Sequence, residues 1–295
     1  MSAPHSIAPA DRPSASVASP TRYYSWLWAL LGIYAVSRLL QMVPGTVPMV
    51  LVIALHVLPP LAFAVIHGAM VYRLRGILLF ILLCVAIGNV FENLSVFTGF
   101  PFGRYHFTAV MGPKVFAVPI LLGLAYVGMG YICWTLARVI LGDPGEPLTG
   151  SRLLTRPLVA AFVMVAWDFS QEAVWSNLVG GWQWHEGGAY LGVPLSNFGG
   201  WYLTVYLIYQ SFALAVRTAR ATPADARFWG IAVLFYGVSA LGNLIVPSPP
   251  GVAAVTDAAG TVWPVSAILG TSALVSVLVM GAFTLIAWVR LVDGN

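Results

Sequence analysis

The chain has 295 residues, 59% of them hydrophobic and 8% charged, with a mean hydropathy of +0.86. Soluble domains carry about 25% charged residues, so a soluble fold is excluded and the chain is read as an all-α, polytopic integral membrane protein. Its net charge of +4 comes from scattered arginines, not from a basic patch interleaved with aromatics, which argues for orientation in a membrane and against nucleic-acid binding.

Residues 1–24 begin the chain with a Ser-, Pro- and Ala-rich stretch whose apolar surface is too small to offset ordering entropy, so a disordered tail is expected there. The apolar run that follows comes late and lacks a small-x-small cleavage site, so the first helix is expected to be retained and not removed as part of a signal peptide. Apolar segments long enough to span a core of about 30 Å then follow at 25–43, 48–71, 76–98, 115–140, 157–179, 198–218, 228–246 and 263–290. Together they make residues 25–295 one membrane-embedded helical domain of about eight transmembrane helices. Pro44, Pro48, Gly76, Pro113, Pro157, Gly180, Pro247 and Pro264 mark most of the boundaries, as expected where helices stop.

Eight spans put both termini on one side, and the basic residues sort accordingly. Arg12, Arg22, Arg73, Arg75, Arg138, Arg152, Arg156, Arg217, Arg220, Arg227 and Arg290 fall on the terminal side, and Arg104 and Lys114 on the other. The positive-inside rule therefore places both termini in the cytoplasm, as a multi-pass protein of the inner or plasma membrane.

With this orientation the chemically capable residues gather in the outer half. Glu92 and Asn93 lie near the end of the third segment, and Arg38 on the outer half of the first. An ionisable group inside a membrane helix costs about 2.5–3.5 kcal/mol even on insertion scales, so it faces the bundle interior and usually has a task. Asp168 and Glu172 are four residues apart, stacked on one helix face with Gln171 and Trp175 nearby. Two carboxyls that close cannot both ionise cheaply in low dielectric, so the pair is expected to hold a proton and to serve as a general acid. The plain alternative is a structural cluster neutralised by a cation. Arg38 is the natural counter-ion for Glu92 or Asp168, with a role in fixing a carboxylate and not in chemistry. Asn197 and Asn243 have two readings, water positioning or helix capping, which the sequence does not separate.

Two outer loops are dense in aromatics, including Phe97, Phe100, Phe102, Tyr105, Phe107, Trp182, Trp184, Tyr190, Phe198, Trp201 and Tyr202. An interfacial belt accounts for most of them, and a few are expected to line a site, where aromatic faces stabilise a cation. The loops echo each other. Glu92 stands 27 residues before Pro119 and Asp168 stands 26 before Pro194, each separated from it by an aromatic, glycine-rich loop that ends in Val-Pro and a returning helix. A duplicated helix pair, giving two half-sites on one cavity, would produce that pattern.

Metal sites find little support. Cys84 and Cys133 have no CxxC partner, which also argues against a disulfide framework. His56 and His67 share a helix face but sit about 16 Å apart, and no HxxxH or HxxHH cluster occurs, so no metal ligand is assigned. His106 and His185 lie in the two outer loops and could meet in space.

GFPFGRYHFT at 99–108, GPKVFAVP at 112–119, WQW at 182–184 and YLGVPLSNFGGWYL at 190–203 together resemble the CruF-type membrane carotenoid hydratases, carotenoid biosynthesis proteins. Residues 80–205 carry the resemblance, and the flanking helices share only hydropathy. The family pattern often has Asp-Pro where this chain has Glu172-Ala173. The resemblance implies addition of water to the terminal double bond of an acyclic ψ end group, as in lycopene or γ-carotene, by protonation to a tertiary cation and capture of water. It implies a cofactor-independent hydro-lyase, with a carotenoid substrate, the lipid bilayer and other carotenoid biosynthesis enzymes as partners. Asp168, Glu172 and Glu92 are then the candidate catalytic groups, and Arg38, Phe102, Tyr105, Trp182, Trp184, Asn197 and Trp201 the candidate substrate-binding groups. Two other classes compete: a membrane prenyltransferase, for which Asn89 with Glu92 and Asp168 with Glu172 would have to hold a magnesium diphosphate, and a non-enzymatic carotenoid- or lipid-binding scaffold.

The charge count makes a direct prediction: reporter fusions in the 183–189 loop and at residue 295 report opposite sides of the membrane, and the same side for both overturns the orientation.

Overall fold

The computed structural model describes residues 20–142, 147–217 and 225–293. The tail expected over residues 1–24 lies outside the described residues up to position 19, as do Arg12 and Arg220 of the charge count, and the first helix begins at Pro20.

The described chain is helical with short β-ladders in its loops. The helices are α1 (Pro20–Leu40), α2 (Met49–Thr98), α3 (Ile120–Ile140), α4 (Arg152–Val174, continued by a π turn Trp175–Val179), α5 (Leu195–Val216), α6 (Ala226–Asn243) and α7 (Val265–Asp293, with a π turn Ser276–Met280). Four of them, Met49–Thr98, Ile120–Ile140, Arg152–Val179 and Val265–Asp293, are long and apolar enough to cross a membrane. Large apolar side chains such as Leu82, Val90, Leu278 and Leu285 point out of the bundle, as they do in a protein whose solvent is lipid.

α2 is a hairpin of two arms. Its backbone leaves the helical region at Arg73 (φ 60°, ψ 171°), and a Cβ built on Gly68 would lie 2.6 Å from Ile77 Cδ1. Nine residues of straight helix span about 13 Å, so the chain must fold back there. The break falls three residues before Gly76, where the sequence suggests it, and exposed Arg73 and Arg75 stand at the tip. Divided at that point, the described helices make eight rods; eight crossings remains the inference drawn from hydropathy.

Helix starts follow one rule at the opposite end. The residues before α2, α3, α5 and α7 are Pro48, Pro119, Pro194 and Pro264, with φ between −54° and −63° and ψ between 134° and 139°. Proline has no N–H to leave unsatisfied at a helix start, and its fixed φ suits that position. α3 consequently begins at Ile120, not near 115. Residues Lys114–Val115 (β2) and Val118–Pro119 (β3) form a tight β-ladder ahead of it, with Phe116 at φ 54° in its turn.

α3 is the central rod, buried along most of its length. Small residues let neighbours approach it, as expected where lipid offers no hydrophobic drive between helices: a Cβ on Gly128 would come within 2.8 Å of Leu61 N and 2.9 Å of Pro60 C in α2. The second arm of α2 with α3, and α4 with α5, form two hairpins whose loops meet. Tyr105–Phe107 (β1) pairs antiparallel with Trp182–Trp184 (β4), placing Tyr105 opposite Trp184 and Phe107 opposite Trp182.

The Gly99–Gly103 loop before β1 is tied on both sides. Gly99 N–H donates to Ser95 O at 2.7 Å, Phe102 N–H donates to Ser95 Oγ at 3.1 Å, and Ser95 Oγ donates to Gly103 O at 2.9 Å. From α5, Ser196 Oγ donates to Phe102 O at 2.9 Å. Gly200 allows this approach, since a Cβ there would lie 2.6 Å from Phe102 Cδ1 and 2.9 Å from the Pro101 backbone, whereas nothing stands within 4 Å at Gly199. Gly200→Ala is therefore expected to cost about 1–3 kcal/mol through overpacking and to lower the melting temperature of the detergent-solubilised protein, while Gly199→Ala leaves it unchanged or higher. Equal melting temperatures would refute the close docking of this loop.

Candidate active site

Three carboxyl groups are buried at the loop-bearing end of the bundle: Glu92 on the second arm of α2, and Asp168 and Glu172 on α4. Each has its own set of donors, because an unsatisfied polar group in an apolar interior is costly. Glu92 Oε1 accepts from Tyr126 Oη of α3 at 2.6 Å, and Oε2 accepts from Tyr105 Oη of β1. Glu172 Oε1 accepts from Trp182 Nε1 at 2.6 Å and from Trp184 Nε1 at 3.0 Å, both from β4. Asp168 Oδ2 accepts from Asn197 Nδ2 of α5 at 3.2 Å. Asp168 and Glu172 stand one turn apart on α4 and are both buried, and two carboxyls that close cannot both ionise cheaply in low dielectric.

The β1–β4 ladder explains how these donors arrive. Alternation along a strand turns Tyr105 and Phe107 to one face, both buried, and leaves His106 on the other. The inward face brings Tyr105 against Trp184, with ring centroids 4.8 Å apart. On the outward face His106 Nδ1 lies 2.9 Å from His185 Nε2, so the two loop histidines do meet. Below, Tyr126 stacks on Trp201 of α5 at 4.6 Å and 2°, which holds its hydroxyl toward Glu92.

Between these groups lies a small cavity of about 20 Å³ lined by Glu92, Phe102, Tyr105, Phe107, Leu122, Glu172, Trp182, Trp184, Asn197 and Trp201. Of the residues singled out from the sequence, Glu92, Glu172, Phe102, Tyr105, Trp182, Trp184, Asn197 and Trp201 therefore share one wall. Asp168 is not among the lining residues; it stands behind Glu172 and Asn197. A second, more apolar void of about 70 Å³ adjoins, sharing Leu122 and Trp182, and Gln171 and Trp175 face that void.

Arg38 is elsewhere. The sequence reading makes it the counter-ion of Glu92 or Asp168, but its Nη2 donates to Asn243 Oδ1 at 2.6 Å, and α1 packs against α2 and α6, away from β1 and β4. The carboxyl cluster is held by neutral donors instead. Asn243 thereby takes a role outside both sequence readings, as the acceptor for Arg38. Tyr126, Phe107 and Leu122 complete the site. Tyr126 escapes the sequence reading because one hydroxyl in an apolar helix does not say what it faces.

Among the described residues no group of three or more His, Cys, Asp or Glu side chains is arranged to hold a metal ion. His56 and His67 have separate partners, Ser37 O at 3.1 Å and Tyr131 Oη at 2.8 Å.

The sequence profile of one family, described as carotenoid biosynthesis protein, matches residues 45–255. The chain belongs to the carotenoid biosynthesis protein family. Every residue lining the cavity falls within the matched span, as do both loops of the β1–β4 ladder. No curated protein and no solved structure matches the chain.

In this carotenoid biosynthesis protein the hydroxyl of Tyr126 is one of two donors to a buried carboxyl. Tyr126→Phe leaves Glu92 Oε1 unsatisfied and is expected to destabilise the fold by about 1–3 kcal/mol. Tyr206→Phe, whose hydroxyl donates to Gln210 at 3.2 Å, serves as the control and is expected to be near neutral. Thermal denaturation in one detergent compares them, and equal melting temperatures would show that the Tyr126–Glu92 bond contributes nothing.

Proposed function

We propose that the protein is a carotenoid 1′,2′-hydratase, adding water to the terminal double bond of an acyclic ψ end group such as that of lycopene or γ-carotene. The observation that carries this reading is the buried Asp168–Glu172 pair, one turn apart on α4, with Glu172 on the wall of an aromatic-lined cavity. Family membership supplies the substrate class.

The chemistry runs on groups already in place. The shared proton passes from the pair, through Glu172, to the less substituted alkene carbon; the π bond breaks, a C–H bond forms and a tertiary cation results. The faces of Phe102, Tyr105, Trp182, Trp184 and Trp201 stabilise that charge in a site that excludes bulk water. Water held by Asn197 and Glu92 adds its oxygen to the cation, and its released proton goes to the Glu92 carboxylate. Glu92 suits the role of base, since both its oxygens accept phenol hydrogen bonds. The cavity has room for the attacking water, and the end group reaches it from the adjoining apolar void through their shared wall of Leu122 and Trp182. Hydration changes no oxidation state of the molecule as a whole, so the reaction calls for no redox cofactor.

Prenyl transfer would need the carboxylates to hold magnesium diphosphate. Here phenol, indole and amide groups already occupy carboxylate oxygens on all three side chains, which favours hydration. The position of Asp168 behind Glu172 shifts the delivery of the proton to Glu172 and makes Asp168 its partner in holding it.

Expression in a bacterial host that accumulates lycopene is expected to yield a pigment heavier by one water. Glu172→Gln and Asp168→Asn are each expected to lower its formation about a hundredfold to ten-thousandfold, the usual scale for loss of general-acid catalysis, with normal protein abundance. Glu92→Gln is expected to be milder. Unchanged pigment with the unaltered protein would reject the hydratase, and abolition by Glu92→Gln with near-normal turnover in both α4 variants would move the acid to Glu92.

A further inference from the structure

Arg38 is 5% exposed and, as a guanidinium, keeps its charge. Among the described residues no acidic side chain pairs with it: Nη2 donates to Asn243, and Nε has no partner. An uncompensated buried cation is strongly destabilising, so the absence of a counter-charge within the bundle needs a cause.

The setting of this guanidinium is built, not incidental. It lies flat on Gly242, where an added Cβ would collide with Nε, and Gln41 Nε2 donates to the Gly242 carbonyl beside it. Asn243 Nδ2 donates to Ser170 Oγ at 2.9 Å and Ser276 Oγ at 3.0 Å, which turns the amide oxygen onto Arg38. Nη2 is thus fixed, while Nε beside it is buried without a partner. Beside it is a void of about 260 Å³ whose polar wall includes Arg38, Gln41, His56, Gln171, Asn243 and Ser272. Two further buried atoms in that wall, His56 Nδ1 and Ser272 Oγ, also lack partners, and Ser272 is 4% exposed. The remaining wall is largely apolar and comes from residues 40–52, the end of α4 and residues 246–250. Two of these three segments are loops between helices, the depth at which lipid headgroups lie.

We propose that this void binds an amphiphile by its oxyanion, a carboxylate or phosphate, with Arg38 Nε and Ser272 as donors and the acyl chain along the apolar wall. The geometry suits an oxyanion because guanidinium and hydroxyl both donate to it, and because its charge supplies the counter-ion that the protein lacks. The site is distinct from the acid cavity and does not depend on hydratase activity. It adjoins the apolar void next to that cavity, with which it shares Arg38, His56, Gln171 and Trp175.

The test uses the full chain in phosphatidylcholine nanodiscs, with tryptophan emission quenched by dibromostearic acid and by its methyl ester. Bromine quenches indole on contact, and Trp175 lines the void, whereas exposed tryptophans report the bilayer equally for both probes. The acid is expected to quench a saturable fraction at roughly a tenfold lower concentration than the ester, the scale of one charge-assisted hydrogen bond. Arg38→Gln is expected to bring the acid to the level of the ester, and Ser272→Ala to weaken it less. Equal potency of acid and ester in the unaltered protein overturns the proposal, whether or not Arg38→Gln folds. Inorganic phosphate is the last arm: failure to displace the bound acid supports the amphiphile, and displacement overturns the part assigned to the acyl chain.

Discussion

Everything at the loop-bearing end of this bundle answers to the need to give three buried carboxyl groups hydrogen-bond donors. No single helix can do so. Glu92, Asp168 and Glu172 sit on two rods, and four of their donors, Tyr105, Tyr126, Trp182 and Trp184, come from a third rod and from two loops. The two loops supply donors at the right places only because β1 and β4 pair in one register. Sliding that register by one residue would turn Tyr105 outward and His106 inward, and Glu92 would lose a donor. The strand pair is short, but it couples the α2–α3 hairpin to the α4–α5 hairpin through the site itself.

Close packing beneath the loops serves the same end. Tyr126 can reach Glu92 only if α3 lies deep among its neighbours, and Gly128 lets the α2 backbone approach α3. Gly200 does the same for the Gly99–Gly103 loop on α5. Such contacts bring dispersion and hydrogen bonding to bear where hydrophobic exclusion between helices is weak.

Much of this was legible in the sequence. Hydropathy locates the rods because backbone groups in lipid must be satisfied within each segment, and the matched spacing of Glu92 to Pro119 and Asp168 to Pro194 foretells two hairpins facing one cavity. What hydropathy misses is local and polar. The ladder before Ile120 depends on a turn at Phe116, which does not alter mean hydropathy. Within the site, residue type identifies Glu92, Glu172, Trp182 and Trp184 as worth attention, because charge and indole N–H groups are conspicuous in an apolar chain. It does not identify partners. Tyr126 is invisible for that reason, and Arg38 is misassigned because the rule that a buried cation seeks a buried anion says nothing of which one.

The separation of Arg38 from the carboxyls bears on what the cluster can do. A guanidinium beside Asp168 or Glu172 would favour the ionised form and take the place of the proton. Phenol, indole and amide donors satisfy carboxyl oxygens with less bias, and they leave the pair to be neutralised by a proton that both carboxyls hold. Under the proposed hydration such an arrangement would favour the acid, since the alkene offers no lone pair and the proton must leave a group that is not stabilised as an anion by a nearby cation. Arg38 is held against Asn243 instead, and in that reading its charge does not compete for the proton.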